Sequence, residues 1–386
     1  MIKMPDKKNE KRAGMKWNQE QMPVLQRITW VDINRFVLIF LVVAGHVSTP
    51  YNAEIYLFHI PAFFFLSGYT ANFHQKSFPK FIWKKFQSLI IPYFCINIAF
   101  FLLRYMLHCL DLEAVFYKDV MTLSQLGLKM GRFFKYASSQ DIGGATWFLV
   151  VLFSSNVMGF VVLRFAEKCH VKDWITLLAC IPVYIFCFYL HSHKIYYPYM
   201  TDLALHALIY FILGFLFHKH QVFFLHINHA YALPISAFLI YFFGRINWIP
   251  MNWPTRYFDT PGTNFIAALA GIYLSWFVSV CLGKIKILNG LLSYLGTKTL
   301  SILFFHFIGL RLFYLMLYLT GNGSSDQVRK LVAQNHDIWF YKTVFGIGFS
   351  VLIDYFIRKN DNIAYLFLGS RAIFNERGKD QILPDR

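Results

Sequence analysis

The feature that most constrains this chain is a succession of apolar runs, each about 20 residues long, separated by short loops of alternating charge. A run of that length is what an α-helix needs to cross the roughly 30 Å hydrocarbon core of a bilayer. Ten are predicted: 33–50, 55–72, 87–108, 145–165, 174–190, 202–217, 230–244, 263–282, 299–319 and 338–357. Backbone N–H and C=O groups in lipid must be bonded within their own segment, so these runs predict helices. The expected fold class is all-α, a polytopic integral membrane protein with about ten transmembrane helices. Composition agrees, since 57% of the residues are hydrophobic and only 15% are charged, with mean hydropathy +0.44. A soluble domain carries about 25% charged residues. A soluble enzyme, a nucleic-acid-binding domain and a disordered chain are therefore excluded. The 43 Phe, 23 Tyr and 9 Trp fit lipid-facing helices with aromatic anchors at the interfaces.

Charge sets the orientation. Of 37 Lys and Arg, 25 fall on the amino-terminal side of the alternation, counting the segment through Arg35, the loops near 73–86, 164–173, 218–229 and 283–298, and the tail from Arg358. The opposite loops and their flanks hold 11, and Arg311 lies within a span. The positive-inside rule then places both termini in the cytoplasm. The expected organisation is a basic cytoplasmic segment over 1–29, one membrane domain over 30–357 and a basic cytoplasmic tail over 358–386. The first 27 residues lack the apolar centre of a secretory signal, so the first helix is expected to serve as its own insertion signal. The six Cys make no CxxC pair and read as small buried thiols.

Ionisable residues inside a bilayer point to function. In the first run, at about 100° per residue, Asp32, Arg35 and His46 share one helix face, with His46 about 16 Å above Arg35. That geometry describes a track from a charged cytoplasmic mouth to a deep acid/base; equally, it describes an interfacial ion pair and a satisfied histidine. His59 sits at similar depth in the second run, ahead of Pro61 and the Ser67–Gly68 pair that permits close helix approach. Lys80, Lys84 and Lys85 stand before Pro92–Tyr93, as a phosphate clamp or as a topology signal. His206 and His306 are further membrane imidazoles. His218, His220, His226 and His229 have no Cys or carboxylate partners, so no metal is expected there. The loop 109–144, with Gly143–Gly144, is the expected lid or re-entrant segment.

These motifs together resemble family-three membrane acyltransferases, the O-acyltransferases of cell-surface glycans. The resemblance is carried by Asp32, Arg35 and His46, then by His-x-Pro-x-Phe-Phe-x-x-Ser-Gly-Tyr from His59 to Tyr69. Lys84–Lys85 before Pro92–Tyr93, Trp147–Phe148–Leu149, and Ser301 with His306 extend it. The second motif is similar to the fucose 4-O-acetylase-like branch. Lysines stand here where many relatives carry arginines. The resemblance implies transfer of an acyl group, usually acetyl, from cytoplasmic acyl-CoA to a hydroxyl of a cell-surface or lipid-linked glycan, in a bacterial inner or plasma membrane, with no bound cofactor. It implies His46, with Asp32, as the catalytic pair, His46 being general base or acyl carrier. Arg35, Lys84 and Lys85 would hold the acyl-CoA phosphates, and His59, Trp147, Ser67 and His306 would meet the acceptor. Acyl delivery is expected from the membrane domain itself. The competing reading is a polytopic glycan or lipid transporter or flippase, which should show inverted repeats, and none is visible.

Overall fold

The computed structural model describes residues 29–72, 77–137, 142–220, 227–331 and 336–369. The basic segment up to residue 28, Lys76, His226 and the tail from residue 370 lie outside the described residues. The chain is a helical bundle with one two-stranded hairpin. In order, the helices are α1 (Thr29–Gly45), α2 (Asn52–Tyr56), α3 (His59–Tyr69), α4 (Phe78–Lys85), α5 (Ile91–Cys109), α6 (Glu113–Phe116), α7 (Leu123–Tyr136), α8 (Trp147–Lys168), α9 (Asp173–Ser192), α10 (Thr201–Lys219) and α11 (His229–Tyr241). After β1 (Met251–Asn252) and β2 (Tyr257–Phe258) come α12 (Pro261–Gly283), α13 (Lys286–Gly296), α14 (Thr299–Leu319), α15 (Ser325–Lys330), α16 (Trp339–Ile357) and α17 (Asp361–Leu368).

Among the described residues, eight helices are long and apolar enough to cross a membrane, which makes the chain an all-α polytopic membrane protein. They correspond to the last eight predicted runs, the first of them lengthened to Phe78–Cys109 by α4 and a π-helical turn at Phe86–Ile90. That turn relieves the missing N–H and the ring bulk of Pro92. The first two predicted runs differ. α1 has 17 residues, and the run 55–72 is broken into α2 and α3, whose 11 residues rise only about 17 Å. Between α1 and α2 the chain leaves helical geometry, with Ser48 at φ 56°. Such a break is tolerated at membrane depth only where protein surrounds it. Both short helices are core elements: α1 packs on α3, α12, α13, α14 and α16.

Two glycine contacts fix the centre. A Cβ on Gly68 of α3 would sit 1.9 Å from the Phe211 carbonyl oxygen, and one on Gly214 of α10 would sit 1.9 Å from that of Phe65. The two backbones thus touch at reciprocal small residues, as membrane helices do when dispersion rather than water exclusion drives packing. Ser67 joins this seam to α8, since Asn156 Nδ2 donates to its Oγ at 3.1 Å.

One end of the bundle gathers the first and last described helices. Gly296 packs against the Asp32 backbone. Lys298 and Arg358 meet the Asp354 carboxylate at 2.7 and 2.8 Å, and Gln87 Nε2 donates to the Tyr365 hydroxyl at 2.8 Å. This is the basic end that the charge pattern assigns to the cytoplasm. At the opposite end, the described residues between 109 and 144 include the helices α6 and α7. Tyr117 is buried there beneath the guanidinium groups of Arg104 (4.2 Å) and Arg311 (5.5 Å), and Glu113 accepts from Arg104 Nε at 2.7 Å.

Candidate active site

A cavity of about 210 Å³ lies between α1, α3, α8, α14 and the hairpin. Ile39, Val42 and His46 line it from α1 and the turn beyond, at the i, i+3, i+7 spacing that repeats one helix face. Thr299, Leu303 and Phe307 line it from α14, covering about 12 Å of rise from the basic end inward. Tyr56, His59, Ile60 and Phe63 come from α2 and α3. Gly144, Ala145, Trp147 and Phe148 come from the start of α8, and Met251, Trp253 and Pro254 from the hairpin. Its half toward the basic end is almost wholly apolar. Most of its polar groups stand in the half toward the opposite end: His46, Tyr56, His59, Trp147 and Trp253.

His46 follows the last helical residue of α1, with its N–H bonded to the Val43 carbonyl at 3.0 Å. Among the described residues its ring is held by faces rather than by a hydrogen bond, stacked on His306 at 5.4 Å and tilted against Phe307 at 4.7 Å. His306 is fully buried behind it, and its Nδ1–H donates to the Ile302 carbonyl at 2.8 Å. His59 is tied in the same way, Nδ1–H to the Ile55 carbonyl at 2.7 Å. A carbonyl can only accept, so in both rings the proton sits on Nδ1 and Nε2 presents a lone pair. For His59 that ring lines the cavity, edge-on to Tyr56 at 5.2 Å.

Trp147 is buried and lines the cavity rather than forming an interfacial belt. Its helix start is pinned. Asn97 Nδ2 donates to the Tyr93 carbonyl at 2.8 Å and to Thr146 Oγ1 at 3.2 Å, and Thr146 Oγ1 donates to the Gly143 carbonyl at 2.7 Å. Gly143 therefore serves close packing, a Cβ there falling 3.0 Å from Asn97 Oδ1, and not the freedom expected of the glycine pair.

The other predicted site residues are distributed differently. Asp32 is buried and accepts from Arg35 Nη1 at 3.0 Å, an i,i+3 pair one turn below Ile39, so Arg35 stands at the basic end beneath the cavity without lining it. Lys84 and Lys85 sit on α4, which packs on α8; Lys84 is exposed and Lys85 lies over the Phe81 ring. Ser67 is a packing residue bonded to Asn156, away from the cavity lining. His306 supports His46 from behind. His218, His220 and His229 diverge, to Tyr69, Asp173 and Tyr273 respectively.

Sequence reasoning missed the hairpin. Met251, Trp253 and Pro254 line the cavity, and among the described residues of 109–144 Gly144 does so as well. The signal was Trp253-Pro254-Thr255-Arg256, a four-residue turn with proline at its second position.

The family model described as acyltransferase domain, Acyl_transf_3, matches residues 28–355, which takes in every residue lining the cavity. The chain belongs to this acyltransferase family. It is a multi-pass membrane acyltransferase. No curated protein and no solved structure matches the chain.

Proposed function

We propose that this acyltransferase moves an acetyl group from acyl-CoA on its basic, cytoplasmic side to a hydroxyl of a cell-surface or lipid-linked glycan on the other side, as the fucose 4-O-acetylase-like branch does. The observation that carries the reading is the polarity of the cavity. Toward the basic end the lining is a largely apolar stem of Ile39, Val42 and Leu303 with Thr299, and toward the other end it is a chamber of two imidazoles and two indoles. A pantetheine arm suits the stem, and a sugar suits the chamber, where aromatic faces meet C–H groups and polar atoms meet hydroxyls.

In this reading His46 takes the proton of the acceptor hydroxyl as its oxygen attacks the thioester carbon. The C–S bond breaks, and the imidazolium returns the proton to the departing CoA thiolate. Transfer through an acyl-imidazole on His46 balances equally well. Arg35, at the basic end of the same helix face, meets the CoA phosphates, with Lys84 and Lys85 adding positive charge nearby on that side.

The test is acetyl transfer from radiolabelled acetyl-CoA to extracted glycans in membranes carrying the protein. The wild type should label glycan, and His46→Ala should lose at least 10²-fold in rate, the usual share of an acid/base group. Equal labelling by a well-inserted His46→Ala protein would remove the proposal, and glycan movement without acetyl transfer would favour a transporter.

A further inference from the structure

From the hairpin we infer a second acceptor contact, a hydroxyl-binding subsite at the indole N–H of Trp253. The inference rests on the glycan reading above and specifies where one sugar hydroxyl is held. Trp253 opens the turn between β1 and β2 and inserts its ring into the bundle, against Phe64 (5.6 Å), His206 (4.7 Å) and Phe258 (5.6 Å). It is 1% exposed and lines the cavity, yet its Nε1–H has no acceptor among the described residues. A buried indole N–H normally finds a partner, because leaving it unbonded forfeits its hydration. Trp253 thus places an orphan donor just beneath the cavity lining, closed to water in this structure, where a ligand oxygen reaches it by parting the side chains around the ring. Indole donates only, so the group it takes is an acceptor: a hydroxyl or ring oxygen of a pyranose, not an ammonium.

The ring cannot swing away to find solvent. Arg256, at φ 56° in the same turn, donates from Nε to Asp202 Oδ2 at 2.7 Å and stacks its guanidinium over Tyr196 at 4.7 Å. Asp202 is fully buried at the start of α10, 3.3 Å from His191 Nε2. This latch ties the hairpin to α9 and α10, so Arg256 acts as a positioning residue for Trp253. Trp147 lines the same cavity, and a sugar held by both indoles would have one face and one hydroxyl fixed.

The subsite is tested on the purified full chain with indole-¹⁵N tryptophan labelling. Nine Trp give nine indole signals, and the one missing from Trp253→Phe is that of Trp253. Titration with methyl glycosides of hexoses and 6-deoxyhexoses should shift that signal. In acetyl-transfer assays Trp253→Phe, which keeps the ring and loses the N–H, should raise the glycoside KM about 10-fold. The acetyl-CoA KM should change less than the glycoside KM. Arg256→Ala should raise the same KM. A Trp253 signal unmoved by every glycoside, or a Trp253→Phe protein with normal glycoside KM and lowered thermal stability, would reduce the N–H to the partner of an internal water and overturn the subsite. A shifted Trp253 signal without acetyl transfer would uphold the subsite and overturn the acetylation reading instead.

Discussion

The imidazoles of His46 and His306 stack with ring centroids 5.4 Å apart and planes 22° from parallel. Only His46 lines the cavity; His306 is anchored by its Nδ1–H to the Ile302 carbonyl and forms the surface on which His46 rests. His306→Ala should therefore lower turnover about 10²-fold through misplacement of His46, with the donor KM unchanged. His306→Phe, which restores a ring face, should recover most of that loss. Steady-state kinetics of the two variants decides it; a Phe variant as impaired as the Ala variant would give His306 Nε2 a chemical role.

Donor binding should depend on Arg35 more than on the lysines. Arg35 lies one turn below Ile39 on the cavity-facing side of α1, whereas Lys84 and Lys85 project from α4 beside α8. Arg35→Ala is expected to raise the acyl-CoA KM about 10-fold with the acceptor KM unchanged, the loss of one charge-assisted contact. The Lys84→Ala/Lys85→Ala double variant should shift it by less than half as much on a log scale. Labelled acyl-CoA binding to detergent-solubilised protein measures both.

The α3–α10 seam has no room for a methyl group. Gly68→Ala or Gly214→Ala would set a Cβ 1.9 Å from a backbone oxygen, which only backbone displacement can relieve. Each should cost at least about 1–3 kcal/mol, the usual range for overpacking. Gly262→Ala, where nothing lies within 4 Å, should be close to neutral and serves as the control. Thermal unfolding in detergent reports the difference.

The outer cluster around Glu113 should carry an acid-sensitive share of stability. Burial pushes the Glu113 carboxyl up, but hydrogen bonds from Arg104, His108 and the Met121 N–H, with the Arg104 charge, outweigh it and hold the group below the ordinary carboxylate range. A depressed pKa contributes stability above the unfolded value of about 4.3, and that contribution is lost as pH falls through the folded value. Glu113→Gln should destabilise by about 3 kcal/mol at pH 7, because it leaves Arg104 buried without its counter-charge. The gap between variant and wild type should begin to narrow as pH falls below about 4.3. Parallel melting curves from pH 3.5 to 7.5 would expose a pH-independent gap, which would refute the assignment.

The membrane helices from 87 onward were legible because lipid imposes one simple rule, that about 20 apolar residues must close their own hydrogen bonds. The first two runs were read as spans by the same rule and proved shorter, because α1 and α3 are surrounded by protein and can break at Ser48 and Phe58 without exposing backbone to lipid. His46, His59 and Trp147, which line one cavity, had been singled out by depth, by position along the chain and by the family-like motifs. Ser67, with the same motif pedigree, turned out to join α3 to α8 through Asn156, a partner 89 positions away in the chain.

What the sequence determined by itself is the class of the molecule, its basic and opposite ends, the family motifs, and the imidazoles placed at membrane depth. Those follow from composition and local period, which act along the chain. Which side chains meet was decided by tertiary structure alone. Thr299, Tyr56 and Trp253 come from three distant segments to line a single cavity with His46, and an Asp202–Arg256 ion pair spanning 54 residues holds one wall in place. The reason is that helix faces choose their neighbours by close fit at points such as Gly68 against Phe211, and neither partner signals the other in the linear pattern.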